Sequence, residues 1–338
     1  MCMAVSDWQN NNWRSKASDD MLLKRALMLK NIRAFFDAND VIEVETPLLS
    51  QYSTTDPHLD SLQSRFREQV CFLNTSPEYA MKRLLARWKQ PIYQICKAFR
   101  DDELGPYHNP EFTLLEWYRP GFDMPQLMAE VTRLVSMLCS LSEISGINNP
   151  VFKSMSYQQA FERFAGINPH QANSLQCYEV AIKNQIEIPQ GLTTKSEELN
   201  DWLDWLLTQL VLPAFDKTNF TYLYDYPAAQ CSLAKIVVNE QKLPVASRFE
   251  LFFGEIELAN GFHELTDADE QLRRFKLENT VRKQNGKDCA RIDKHFIAAL
   301  HEGLPECSGV AIGLDRLLMA ITQSEVIEQV LSFGWDNT

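Results

Sequence analysis

Two arginines follow apolar runs in this sequence, at positions where a charged side chain needs a partner. Arg316 comes after the small-residue run SGVAIGLD, and Arg100 ends the run ICKAFR before three acidic residues. A guanidinium is planar and can donate two parallel hydrogen bonds to one carboxylate or phosphate group. Both arginines are therefore candidates for binding an anion. The alternative for Arg100 is a buried ion pair with Glu116, if their strands form a hairpin.

A set of carboxylates lies in the segment RFELFFGEIELANGFHELTD. A two-residue turn at Phe253–Gly254 would place Glu250 opposite Glu257, and such a pair suits Mg²⁺ shared with substrate phosphates. The alternative is that the turn lies elsewhere and both glutamates are solvated. A β-bulge at Asn260–Gly261 would bring Glu257 and Glu264 to the same face of the sheet.

Two further segments carry candidate binding residues. In the strand EFTLLEWYRP, alternation puts Glu116 and Tyr118 on one face, and a carboxylate on an apolar strand needs a partner. In TSPEYAMKRL, Pro77 marks a helix start, Ser76 is the predicted N-cap, and Glu78 falls in the first turn. The alternative for Glu78 is that it only stabilises the helix dipole.

Helices and strands must bring these segments together. A helix at 18–38 is predicted from apolar residues at helical spacing. We expect one α+β domain over 18–338, a mostly antiparallel sheet flanked by helices, with a helical insertion at about 123–217 and a polar tail at 1–17. Further helices are predicted at 78–88, 125–141, 196–211 and 269–283, and strands at 41–47, 70–73, 92–100, 111–118, 220–227, 248–261 and 307–314.

The composition narrows the class of protein. The 338 residues are 45% hydrophobic and 23% charged, as in soluble globular proteins. With no apolar run long enough for a membrane span, no secretory signal and 8 scattered cysteines, we expect a cytoplasmic protein with reduced thiols. The net charge of −12 disfavours stable nucleic-acid binding. The phosphate loop GxxxxGK[ST], the zinc motif HExxH and the dinucleotide fingerprint GxGxxG do not occur.

Taken together, the segments resemble class II aminoacyl-tRNA synthetases, and specifically the catalytic core of lysyl-tRNA synthetases. VIEVETPLL, FRDDELGPYHNPEFTLLEWY and GVAIGLDR are similar to motifs 1, 2 and 3 of that family, in the same order. TSPEYAMKRL, YPAAQCSLAK and IELANGFHELTD are similar to the lysine subclass. The resemblance implies an antiparallel sheet that binds bent ATP, and a homodimer with motif 1 at its interface.

The resemblance also implies a role for each residue. Arg100 would hold the α-phosphate and the amino-acid carboxylate, and Arg316 the γ-phosphate; both are the expected catalytic residues. Glu264 and Tyr118 would receive the side-chain ammonium of lysine, and Glu78 the other amino group. The expected ATP-binding residues are Arg100, Asp101, Asp102, His108, Asn109, Glu257, Leu258, Gly313 and Arg316. The expected amino-acid-binding residues are Ser76, Pro77, Glu78, Glu116, Tyr118, Asn260, Phe262, Glu264 and Ala311, and the expected Mg²⁺ ligands are Glu250 and Glu257.

Three features differ from lysyl-tRNA synthetases. The first core helix begins near residue 18, so we expect no anticodon-binding domain. Ser76 replaces the usual alanine, and Ala311 replaces the usual glycine. This combination resembles stand-alone paralogues that attach (R)-β-lysine to a lysine of translation elongation factor P. We therefore expect a ligase acting on elongation factor P with β-lysine or lysine, with Ala311 and Ser76 selecting β-lysine. The alternatives are a truncated enzyme that charges tRNA and a catalytically silent regulatory paralogue.

Overall fold

A computed structural model describes residues 13–195 and 198–338, so most of the expected polar tail at 1–17 lies outside the described residues. The strands are β1 Ile42–Glu43, β2 Leu49–Ser50, β3 Gln63–Phe66, β4 Gln69–Leu73, β5 Ile92–Phe99, β6 Glu111–Pro120, β7 Phe152–Ser156, β8 Phe220–Pro227, β9 Ile236–Val238, β10 Pro244–Phe253, β11 Ile256–His263 and β12 Cys307–Gly313. The helices are α1 Asp19–Asp37, α2 Glu78–Trp88, α3 Met124–Cys139, α4 Tyr157–Phe164, α5 Ser174–Lys183, α6 Leu199–Leu206, α7 Ala268–Gln284, α8 Lys294–Gly303 and α9 Leu314–Thr322.

The main sheet has the strand order β1-β5-β6-β12-β11-β10-β8-β7, with β9 paired to β10. Only β1 and β7, at the two edges, run parallel to their neighbours. The predicted α+β architecture with a mostly antiparallel sheet is thus confirmed. Strands β2, β4 and β3 form a separate small sheet.

One face of the main sheet is covered by α1 and α3. Ser18 caps α1 by accepting a hydrogen bond from the Met21 amide. Phe36 of α1 stacks on Tyr93 with ring centroids 4.4 Å apart and meets the edge of Trp117 at 5.3 Å. Because Trp117 points into this core, alternation along β6 turns Glu116 and Tyr118 to the opposite face.

The predicted helical segment 123–217 contains α3 to α6, and it also contains β7, which joins the edge of the main sheet. The helix predicted at 196–211 begins at Leu199 and ends in a π-helical turn, Leu207–Val211; residues 196 and 197 lie outside the described part. A second apolar core, with Tyr157 and Trp202 fully buried, packs this segment against β8 and β10.

Two negative findings apply to residues 13–195 and 198–338. No helix there has the length and apolar character to cross a membrane. The seven cysteines in that part of the chain are all free thiols.

Candidate active site

A cleft of about 480 Å³ opens on the face of the sheet opposite α1. Its floor is β12, flanked by β6 and β11. Ala311 pairs in register with Glu116 on one side and with Asn260 on the other, and Gly309 pairs with Tyr118 and Phe262. The small residues of β12 therefore form a shallow floor between two rows of larger polar and aromatic side chains.

The two floor glycines have different reasons to lack a side chain. A Cβ on Gly309 would lie 2.4 Å from the Tyr118 ring and 2.6 Å from Glu264 Oε1, so the protein itself requires glycine there. A Cβ on Gly313 would meet no protein atom closer than 4.0 Å. Gly313 thus leaves open space in the cleft, which is the arrangement expected beside a ligand.

One end of the cleft, which we call the acidic end, is formed by Glu78, Glu116, Tyr118 and Glu264. Tyr118 donates a hydrogen bond to Glu116 Oε1 at 2.6 Å, and both residues are buried. Burial, together with the nearby Glu78, raises the pKa of Glu116 to about 8. Burial also raises the pKa of Glu264 to about 7, although Lys82 opposes the shift. A bound cation would therefore be needed to keep these carboxylates fully ionised at neutral pH.

Lys82 is the residue of this end that the sequence analysis missed. Its side chain is only 1% exposed. Its Nζ lies 2.5 Å from Glu78 Oε1 and 2.7 Å from Glu264 Oε2. The available signal was helical spacing: Lys82 shares the buried face of α2 with Leu85.

The helix start at α2 differs by one residue from the prediction. Pro77 occupies the N-cap position and α2 begins at Glu78. The side chain of Pro77 makes no capping hydrogen bond. Ser76, the predicted N-cap, accepts only a long hydrogen bond of 3.4 Å from the Glu78 amide. Ser76 therefore lies one residue before the N-cap, and it lines the cleft.

The opposite end, which we call the arginine end, is formed by Arg100, His108 and Arg316. Arg316 Nε donates to the Tyr107 carbonyl at 3.1 Å, and Nη1 donates to the Glu257 carbonyl at 3.1 Å. Its Nη2 lies 2.6 Å from His108 Nε2. Burial, and then the charge of Arg316, lowers the pKa of His108, so a neutral imidazole accepts this hydrogen bond.

Arg100 lies on the same face of the sheet as Glu116, as predicted, but the two do not form an ion pair. Its one ion pair among the described residues is with Glu103, at 3.4 Å. Its buried Nε has no hydrogen-bond partner there. A buried, unsatisfied guanidinium donor that lines a cleft fits an anionic ligand.

The β10–β11 hairpin corrects two predictions. Its turn is Gly254–Glu255, not Phe253–Gly254, because Gly254 takes the first loop position with φ +56°. The ladder has a bulge at Leu258, not at Asn260–Gly261. Glu250 therefore pairs with Asn260 rather than with Glu257. The bulge still turns Glu257 to the face of Asn260 and, by alternation, of Glu264, and both glutamates line the cleft.

The expected Mg²⁺ pair stays a prediction: Glu250 and Glu257 do not pair directly across the ladder, but they share a face of the sheet, and after burial the nearby charge of Glu257 helps to raise the pKa of Glu250. Both oxygens of Glu250 are in use: Tyr226 donates to Oε2 at 2.6 Å, and Arg248 Nη2 binds Oε1. Burial raises the pKa of Glu250 to about 7. Glu257 is half-exposed and lines the cleft. The described residues contain no group of three His, Cys, Asp or Glu placed to hold a metal. Two carboxylates without a third such ligand among the described residues fit a Mg²⁺ ion bound mainly by nucleotide phosphates, with Glu250 and Glu257 as the predicted protein ligands.

The cleft brings together most of the predicted site residues, and three lie outside its lining. Asp101 and Asp102 are exposed on a turn, where Asp102 has φ +60°, and Glu250 is held away by Arg248. The predicted residues that line the cleft are Ser76, Pro77, Glu78, Arg100, His108, Asn109, Glu116, Tyr118, Glu257, Leu258, Asn260, Phe262, Glu264, Ala311, Gly313 and Arg316.

A segment that the sequence did not single out also lines the cleft, at residues 49–56. It leads into a loop that Arg282 of α7 holds by donating to the carbonyls of Asp56 and Leu59 at 2.8 and 3.0 Å. Arg282 also binds Asp60 Oδ1 at 2.8 Å. Arg282 is 222 to 226 residues from these partners in the chain, so no local sequence pattern predicts the contacts.

One comparison with known proteins covers nearly the whole chain. A family model described as tRNA synthetases class II (D, K and N) matches residues 9–337.

Proposed function

The chain belongs to the class II tRNA synthetase family of the D, K and N types, and from this premise we propose that it activates lysine or (R)-β-lysine and transfers it to a lysine side chain of elongation factor P. Membership of the family implies an ATP-dependent ligase that forms aminoacyl adenylates. The choice of amino acid and the acceptor are the proposal.

The acidic end is the observation that carries the choice of amino acid. Three carboxylates, from Glu78, Glu116 and Glu264, meet there beside one ammonium, from Lys82. An aspartate side chain would be repelled by this arrangement, and an asparagine side chain would leave the carboxylates without a cation. A substrate with a second ammonium group supplies the missing positive charge.

The proposed first step needs no protein nucleophile. The amino-acid carboxylate attacks the α-phosphorus of ATP, the bond to the β-phosphate oxygen breaks, and pyrophosphate leaves. Arg100 and Arg316 stabilise negative charge on the phosphates, and the cleft orients the carboxylate for attack. Mg²⁺ carried with ATP would neutralise further phosphate charge, with Glu250 and Glu257 as its predicted protein ligands.

The proposed second step transfers the aminoacyl group to a protein. The neutral amine of an acceptor lysine attacks the adenylate carbonyl, an amide forms, and AMP leaves. The net charge of −12 favours a protein acceptor over tRNA, because a phosphate backbone is bound by basic surfaces. Ser76 and Ala311, both in the cleft, support β-lysine by the resemblance described above. A homodimer remains a prediction from the same resemblance.

A mass measurement tests the proposal. The protein is incubated with ATP and either lysine or β-lysine, together with elongation factor P or with tRNA. The expected result is one added lysyl mass on the factor and no charging of tRNA. Efficient tRNA charging without an adduct on the factor would establish the second candidate, which the family itself favours.

A further inference from the structure

Lys82 is buried beside the acidic end, and its ammonium group is paired with carboxylates of the protein itself. Its side chain is 1% exposed, and its Nζ contacts Glu78 Oε1 at 2.5 Å and Glu264 Oε2 at 2.7 Å. The rings of Tyr118 and Phe296 lie 5.8 and 5.9 Å from the ammonium. The ammonium is thus enclosed by two carboxylates and two aromatic faces.

Each carboxylate is held through one particular oxygen. Glu264 gives Oε2 to Lys82, while its Oε1 lies over Gly309, 2.6 Å from the position a Cβ would take. One oxygen of Glu264 therefore faces the interior and the other faces the cleft floor. Because a buried carboxylate without a counter-ion takes up a proton, Lys82 opposes the protonation of Glu264 that burial and the nearby Glu78 favour.

The charges of the acidic end also fit one class of substrate. When a bound cation keeps all three carboxylates ionised, they and the one ammonium carry a net charge of −2. A diamino acid carries two ammonium groups, and its carboxylate is left for Arg100. Without Lys82, the acidic end would carry one more negative charge than the two ammonium groups of the substrate neutralise. One of its carboxylates would then take up a proton.

We propose that Lys82 is a positioning residue that fixes Glu78 and Glu264 and sets the charge of the acidic end to match a substrate with two ammonium groups. This inference rests on the proposed function for its substrate class. The titratable groups that face Lys82 come from four elements. They are Glu78 on α2, Glu116 and Tyr118 on β6, Glu264 after β11, and Cys307 on β12.

Two substitutions shift the Glu264 titration in opposite directions. Burial alone would lower the pKa of Lys82, but Glu264 and Glu78 raise it, so Lys82 stays charged throughout the neutral range. Lys82→Met removes this cation and is expected to raise the Glu264 midpoint by at least about one pH unit. Glu78→Gln removes a like charge and is expected to lower the midpoint. Arg87→Met, on the exposed face of α2, is the control and leaves it unchanged.

The midpoints are measured on the ligand-free protein by carbon-13 NMR of labelled glutamate carboxyls, with Glu264→Gln identifying the resonance. Opposite shifts in Lys82→Met and Glu78→Gln support the proposal, and unchanged midpoints overturn it. Glu78→Gln keeps the test decisive if Lys82→Met does not fold, since a midpoint that fails to fall contradicts the coupling.

Calorimetric binding of lysine and of ATP adds a functional readout. Lys82→Met is expected to weaken lysine binding at least about tenfold near pH 6.5 and less at pH 8.5, where the carboxylates ionise without help, while ATP affinity stays the same. An equal loss at both pH values would indicate a merely structural role and overturn the proposal. If the unaltered protein binds ATP but no diamino acid, the proposed function fails, and the carboxyl midpoints still judge the role of Lys82.

Discussion

Arg25 in the first helix donates from Nη1 to Asp315 Oδ1 at 2.6 Å, although 290 residues separate them in the chain. Asp315 is buried and also accepts from the Thr113 amide at 2.7 Å. The adjacent charged residues Asp315 and Arg316 therefore have separate tasks. Asp315 ties α9 to α1 and β6, and this fixes the helix from which Arg316 reaches the cleft.

Replacement of Arg25 should destabilise the fold. Arg25→Met leaves Asp315 buried without its cation, so the free energy of unfolding is expected to fall by about 3–5 kcal/mol. Chemical denaturation measures the loss. Lys24→Met is the matched control, because its ion pair with the exposed Asp20 contributes at most about 1 kcal/mol. Equal losses in both variants would show that the Arg25–Asp315 pair has no special role.

Replacement of Arg100 should remove activity and leave the fold intact. Arg100→Ala is expected to lower the rate of ATP–pyrophosphate exchange by at least about 100-fold, because the guanidinium stabilises charge on the α-phosphate. Arg65→Ala, on the exposed strand β3, is the control for loss of an arginine. Exchange at the normal rate in Arg100→Ala would refute the role given to this residue.

The two floor glycines should respond differently to alanine. Gly309→Ala pushes a methyl group against Tyr118 and Glu264, so we expect a loss of about 1–3 kcal/mol in stability and loss of lysine binding. Gly313→Ala has room within the protein and is expected to keep its stability but to weaken ATP binding. Thermal unfolding with and without each ligand separates the two effects. Similar behaviour of both variants would contradict the packing difference.

Ala311 should influence which lysine isomer is used. It lies between Glu116 and Asn260 at the centre of the floor, where its methyl group narrows the space for the substrate. Ala311→Gly is expected to raise kcat/KM for α-lysine relative to β-lysine by about tenfold, the effect of one methyl group in a pocket. Competition between the two isomers in the exchange assay checks this. An unchanged ratio would mean that selection of β-lysine does not depend on Ala311.

Local patterns predicted the longer elements of this fold, and they missed helices α4, α5 and α8 and the short strands β2, β3 and β9. The helix 78–88 and the strand 220–227 have the bounds predicted from periodicity and flanking residues. The β10–β11 turn was misplaced by one residue because both Phe253–Gly254 and Gly254–Glu255 contain a glycine. Only Gly254–Glu255 puts the glycine at the first loop position, where φ is positive. Edge strand β7 was missed because the exposed pattern of Phe152–Ser156 lacks a clear alternation.

The site was predictable where its residues lie on one strand and not where it depends on distant partners. Alternation along β6 placed Glu116 and Tyr118 together. Helical spacing alone puts Lys82 beside Glu78 on the buried face of α2, but no local pattern indicates its second partner, because Glu264 lies 182 residues away in the chain (numbers 82 and 264). The contact of Glu250 with Arg248, two residues away on β10, is of the local kind that alternation predicts, and the assignment of Glu250 to Mg²⁺ stays a prediction.

Amino-acid-dependent ATP–pyrophosphate exchange tests the central claim, that the acidic end selects a diamino acid for adenylation. The protein is assayed with lysine, β-lysine, aspartate and asparagine, each at the same concentration and at neutral pH. The expected result is exchange with lysine or β-lysine and none with aspartate or asparagine. Exchange with aspartate or asparagine, or the absence of exchange with lysine and with β-lysine alike, would contradict the proposed function.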